Sequence, residues 1–153
     1  MIDKQRLQDA KAGNVKEQFS VGMYYYEGAF GLGENIDYEK ALFWLTKAAE
    51  QGHVKSQHSV GFMHYKGQGT QIDYETAFHW YTKAAEQGYT LSQNNLGCLY
   101  RDGRGVTEDF EEAFIWFSIA AEQGIAISQC NLGLLYLEGK GVPESLILSL
   151  IHI

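Results

Sequence analysis

The chain has 153 residues, 45% of them hydrophobic and 20% charged, with a formal net charge of −7. That length suits one domain or one short repeat array, and the acidic balance argues against a general nucleic-acid surface built of clustered Lys and Arg. No apolar run reaches the roughly 20 residues of a membrane span, so no membrane insertion is expected.

The opening Met1-Ile2-Asp3-Lys4-Gln5-Arg6 has no apolar core of a signal peptide. The expected compartment is the cytoplasm, unless the N-terminus is truncated and an export signal precedes it. Residues 3–12 read as the end of a helix, and Gly13 sits where Gly52, Gly88 and Gly124 sit later. Residues 1–13 are therefore expected to be a remnant of a preceding repeat or a divergent capping helix.

Residues 14–143 are organised by a fixed period. Trp44, Trp80 and Trp116 are 36 residues apart, and each opens a run that ends in Ala-Ala-Glu-Gln-Gly, at Gly52, Gly88 and Gly124. A period of this length predicts stacked repeats rather than one globular core. Each unit reads as a first helix, a glycine loop and a second helix. The first helices centre on Gln18 to Glu27, Gln57 to Lys66, Gln93 to Asp102 and Gln129 to Glu138. Within them Gly22, Gly61, Gly97 and Gly133 recur. A mid-helix Gly costs about 1 kcal/mol against Ala, so the recurrence predicts close helix–helix approach.

The loops carry Gly67-Gln68-Gly69, Gly103-Arg104-Gly105 and Gly139-Lys140-Gly141. Their first glycine is expected to end the helix in the left-handed conformation. The first loop holds three extra residues between Gly28 and Gly33, and length there costs little. Asp37, Asp73 and Asp109 precede the second helices and are predicted to cap them. Ala41, Ala77 and Ala113 stand three residues before the tryptophans, and Ala48, Ala84 and Ala120 four after, which makes one apolar stripe.

The pattern breaks after Gly141-Val142-Pro143-Glu144. No Asp-led helix follows; the chain reads Ser145-Leu146-Ile147-Leu148-Ser149-Leu150-Ile151-His152-Ile153. Residues 144–153 are an atypical tail. It reads either as an apolar C-terminal cap or as non-native peptide encoded by a sequencing adapter joined to a broken reading frame.

The repeat unit, Ala-x-x-Trp-x-x-x-Ala-Ala-x-x-Gly and then Leu-Gly-x-x-Tyr-x-x-Gly-x-Gly-Val, resembles the Sel1-like repeat family, relatives of tetratricopeptide repeats. The clearest copy is Leu96 to Val106 followed by Ala113 to Gly124. His64 stands at the usual Tyr, and Ser56, Ser92 and Ser128 stand where the family favours Ala. The resemblance implies an all-α fold, an α/α superhelical solenoid of helix-turn-helix repeats. It also implies a scaffold or adaptor role in multiprotein complexes, with no shared catalysis.

Rotating each first helix at 100° per residue separates a repeated packing side from a variable opposite side. The variable stripe reads Phe19/Met23/Tyr26, His58/Phe62/Tyr65, Asn94/Cys98/Arg101 and Cys130/Leu134/Leu137. First helices line the concave face in tetratricopeptide-like solenoids, so the resemblance makes this stripe the candidate groove. Phe19, Met23, Tyr26, His58, Phe62, Tyr65, Asn94 and Arg101 are the candidate partner-binding residues. The competing reading is that these groups contact the neighbouring repeat. Asn94, Asn95 and Asn131 are suited to hydrogen-bond a peptide backbone or carboxylate, or else form a solvated polar strip.

The expected partner is a protein or peptide. No cofactor or metal is expected. His53, His58 and His64 are five and six apart, not the i,i+4 spacing that brings two ligands together. Cys98 and Cys130 fall on adjacent first helices and are expected to be free thiols. Glu108-Asp109 and Glu111-Glu112 begin a helix, where helix-end electrostatics explain them. No nucleophile, base and orienting group converge in one motif, so catalysis is not expected. The alternatives are a thiol- or metal-dependent regulatory protein or enzyme, and an inactive fragment of a larger scaffold.

Overall fold

Alternating long helices and short glycine turns leave the chain one economical arrangement, helices laid antiparallel in pairs. The computed structural model describes residues 2–28, 33 and 35–144. Among them are eight helices and no strand. They are α1 (Lys4–Lys11), α2 (Val15–Glu27), α3 (Tyr38–Glu50), α4 (Val54–Lys66), α5 (Tyr74–Glu86), α6 (Thr90–Asp102), α7 (Phe110–Glu122) and α8 (Ala126–Glu138). Each packs on the helices before and after it. The first helices α2, α4, α6 and α8 thus form one layer of a superhelical solenoid, and α3, α5 and α7 the other. The tail at 145–153, on which two readings were open, lies outside the described residues.

The caps follow the local chemistry. Asp37 Oδ1 accepts from the Lys40 N–H at 3.0 Å, Asp73 Oδ1 from Thr76 at 3.0 Å, and Asp109 Oδ1 from both Glu111 and Glu112 at 3.0 Å. Gly67, Gly103 and Gly139 end α4, α6 and α8 in the left-handed region. Helix α1 occupies the expected opening and packs on α2, with Ala10 against Trp44 and Val21.

Close approach at the helical glycines has a definite partner. A Cβ on Gly61 would lie 2.9 Å from Tyr81 Cδ1, and one on Gly97 would lie 2.7 Å from Phe117 Cε1. On Gly22 the neighbour is Leu45 Cγ, at 2.6 Å. Leu45, Tyr81 and Phe117 each follow a tryptophan and are at most 1% exposed. They fill the space opposite the helical glycines inside each repeat. Trp44 and Trp80 bridge two repeats: Trp80 clusters with Ala41 and Leu45 of the preceding repeat and with Val60 and Met63 of its own, and Trp44 with Ala10 before it and Val21 of its own. Trp116 is half-buried.

A glutamine relay fixes the stacking. Gln57 Nε2 donates to the Ala49 carbonyl at 3.2 Å, and Gln87 Nε2 donates to Gln57 Oε1 at 2.6 Å. Gln18 with Gln51 and Gln93 with Gln123 repeat this, at 2.8 and 2.9 Å between the side chains. Buried amides need both ends satisfied, so this relay ties three helix ends together in one register.

Candidate partner-binding face

The variable stripe of the first helices is where three neighbouring chemistries meet: aromatic rings, amides and a few cations. The structure divides it between seams that hold repeats together and hollows that remain open.

His58 and Asn94 lie in the seams. His58 Nδ1 is 2.8 Å from Ser92 Oγ, and the ring lies 5.0 Å from that of Tyr89 and 5.6 Å from that of Tyr81. Burial pushes the imidazole down to about 4, so it is neutral at pH 7. Asn94 is 6% exposed. Its Oδ1 accepts from the Ser128 hydroxyl at 2.9 Å and from Asn131 Nδ2 at 3.2 Å. These contacts explain why serine replaces the family's alanine. Ser56, Ser92 and Ser128 are fully buried, and each hydroxyl meets His53, His58 or Asn94.

Phe19, Met23 and Tyr26 on α2 lean on the next repeat while keeping part of their surface. The Phe19 ring lies 4.7 Å from His53, and the Tyr26 hydroxyl donates to Gln68 Oε1 at 3.2 Å. Phe19 and Met23 line an open hollow of about 670 Å³ with Ile2, Arg6 and Tyr24, between α1 and α2.

Phe62 and Tyr65 on α4 come together over a smaller hollow of about 180 Å³, completed by Lys66, Tyr81, Asn95 and Cys98. Burial raises the Cys98 thiol, with Arg101 opposing. Arg101 stands aside from this hollow. It pairs with Asp102 at 2.8 Å and donates to Asn131 Oδ1 at 3.1 Å. The eight predicted residues therefore do not form one continuous groove: two lie in seams, two pairs line separate hollows, and Tyr26 and Arg101 flank them.

Arg104 was not among the predicted residues. Its Nη1 donates to the Tyr65 hydroxyl at 2.7 Å, and its guanidinium lies 5.3 Å from the Tyr74 ring centroid. The signal was present: Gln68 and Arg104, the middle residues of successive Gly-x-Gly turns, each reach back to the tyrosine of the preceding repeat. Tyr81 carried no comparable signal, since the residue after each tryptophan varies as Leu45, Tyr81 and Phe117 while the tryptophan itself recurs. Cys98 and Cys130 are both free thiols. Among the described residues no three His, Cys, Asp or Glu side chains gather as a metal site, and no helix is long and apolar enough to cross a membrane.

Stacked helix pairs held by a glutamine relay, with a side-chain-varied face on the first helices, define a helical repeat protein of the α-solenoid class. The chain belongs to the Sel1 repeat family, whose pattern matches residues 18–53, 54–89, 90–125 and 126–152. It is similar to a protective antigen of uropathogenic Escherichia coli strains displaying an SLR fold, with 37% identity over 93% of this chain and a TM-score of 0.83. A Sel1 repeat protein from Oxalobacter formigenes is similar too, at 34% identity over 90% of this chain and a TM-score of 0.82. The present chain spans 30% of the first of these proteins and 56% of the second. Cysteine-rich protein B of Helicobacter pylori shares the fold, at 21% identity and a TM-score of 0.62, over 86% of this chain and 97% of that one. No curated protein sequence matches this chain. Sel1 repeat proteins are generally protein-interaction scaffolds and are typically non-enzymatic.

Proposed function

We propose that this chain is a non-enzymatic scaffold that binds a peptide or protein segment on its first-helix face, over α4 and α6. The observation that carries the reading is the hollow where Phe62 and Tyr65 meet Lys66, Asn95 and Cys98. Large, rigid aromatic surfaces beside polar groups are the usual anchors of protein recognition. The face is built by the repeat packing, so a partner meets a preformed surface and orders little of it on binding.

A photo-reactive side chain placed at position 66, and separately at position 79 on the outer face of α5, tests the assignment. The expected result is capture of a defined partner segment from position 66 and none from position 79. Equal capture at both positions, or capture at 79 alone, moves the partner to the second-helix layer. With that segment in hand, Phe62→Ala combined with Tyr65→Ala is expected to weaken binding by at least about 2 kcal/mol. Both rings also pack near Ala77, Tyr81 and Leu99, so unchanged helicity is part of the expected outcome.

A further inference from the structure

We infer that the α4–α6 hollow takes one apolar side chain of a partner peptide whose neighbouring residue is Asp or Glu, the carboxylate lying between Lys66 and Arg104. This rests on the reading of the first-helix face as a peptide-binding surface and specifies the chemistry of its occupant.

Size excludes most other ligands. The hollow measures about 180 Å³, whereas pockets for drug-sized molecules and cofactors hold about 300–1,000 Å³. One side chain fills it. Phe62, Tyr65 and Tyr81 make its walls, which favours an apolar group, and Asn95, whose side chain also bonds the Tyr81 hydroxyl, keeps further amide donor and acceptor capacity for a peptide backbone.

Charge selects the neighbour. Lys66 Nζ lies 5.8 Å from the Phe62 ring centroid and 5.7 Å from that of Tyr65. The Arg104 guanidinium lies 5.9 Å from the Tyr65 ring on which it also makes its hydrogen bond. Both cations are exposed. Among the described residues neither has a carboxylate within 4.0 Å, whereas nearby Arg101 is answered by Asp102. Two cations without a paired carboxylate thus stand beside one apolar hollow on a chain whose net charge is −7. Complementarity of this kind sets partner choice and register. Arg104 spends one N–H on Tyr65 and keeps others for a carboxylate. The aromatic rings beneath both cations hold them near the rim, so less side-chain freedom is lost on binding.

The test uses the full chain carrying Cys130→Ser, which leaves Cys98 as its single thiol and a reporter inside the hollow. Short synthetic peptides with a central Leu or Phe are compared in three versions: flanked by Asp or Glu, by Asn or Gln, and by Lys. The expected result is at least about tenfold tighter binding of the acidic version than of its amide isostere. That peptide should also slow thiol-reagent labelling of Cys98, and its advantage should fade in high salt. Lys66→Glu, on an exposed side chain, should reverse the preference toward the Lys version with helicity unchanged. Protection of Cys98 by acidic and amide peptides alike would overturn the carboxylate inference while leaving the peptide-binding face standing. No protection by any peptide, together with no capture from position 66, would remove both. Protection without peptide that rises with protein concentration would assign the hollow to a second copy. Protection lost on deleting residues 145–153 would assign it to the chain's own tail. Either of these last two results overturns the inference as well.

Discussion

Gly97 and Gly133 occupy the same place in successive repeats, yet the same added methyl group would act oppositely at the two. A Cβ at Gly97 meets the buried Phe117 ring at 2.7 Å, while one at Gly133 has no described neighbour within 4 Å. Phe117 is fully buried, so it cannot swing aside without disturbing Ala113 and Leu135. Gly97→Ala should therefore destabilise by about 1–3 kcal/mol through overpacking. Gly133→Ala should stabilise by up to about 1 kcal/mol, because Ala loses less backbone entropy in a helix. Denaturant midpoints of the two variants check this, and a shift of the same sign in both would show that the glycines are not set by their facing residues. The recurrence of glycine in the sequence records a packing rule. The identity of the facing residue, which follows each tryptophan, decides how strictly the rule applies.

Between elements, the seam of α4 and α6 carries a titrating group. Burial holds His58 at about 4, against an ordinary value of 6.5. A base whose value is depressed by folding binds its proton more readily in the unfolded chain, so its contribution is complete above the unfolded value. It is lost as pH falls from about 6.5 toward 4, by up to about 3 kcal/mol. Protonation would place a charge against Ser92 between the Tyr81 and Tyr89 rings. His58→Asn should flatten this pH dependence, because Asn94 already makes the equivalent pair with Ser128 in the next seam. His53 and His64, also lowered by burial, remain in both proteins and cancel in the difference. Equal stability loss in both proteins between about pH 7 and pH 4 would place the titration elsewhere. The helices, their Asp caps and their glycine stops were legible in the sequence because each depends on residues a few positions apart. The seam was not. Rotating one helix in isolation separates two sides but cannot tell a side facing water from a side facing the next helix. That is why His58 and Asn94 read as groove residues although one is mostly and the other almost wholly enclosed. Phe62 and Tyr65 do line a hollow, but that hollow depends on Tyr81, Asn95 and Cys98 from two further helices, which a single-helix rotation does not bring together.

Across the described residues, most contacts run between helices successive in the chain, with thinner seams between alternate ones, so stability is a sum of repeat and interface terms rather than the property of one core. Those terms are unequal along the chain. In the middle, Tyr81, Leu96, Leu99 and Met63 are at most 1% exposed, and Gln57 and Gln93 are 4% exposed within the glutamine relay. On α8, Leu134 is 52% exposed and Leu137 86%. Gln129, in register with Gln57 and Gln93, is exposed and has only a long 3.4 Å bond to the Ala121 carbonyl. Gly133 lacks a facing residue among those described. Each deficit removes burial or a hydrogen bond that its equivalents in α4 and α6 possess, and local opening is easiest where such contacts are fewest. Hydrogen exchange should show this as a gradient: amides of α8 exchange first, and those of α4, α5 and α6 last. Because opening passes from repeat to neighbour, α7 should come between, as α8 supplies one of its two packed faces. Uniform protection from α2 through α8 would mean that the array opens as one cooperative body, and the nearest-neighbour account of its stability would fail.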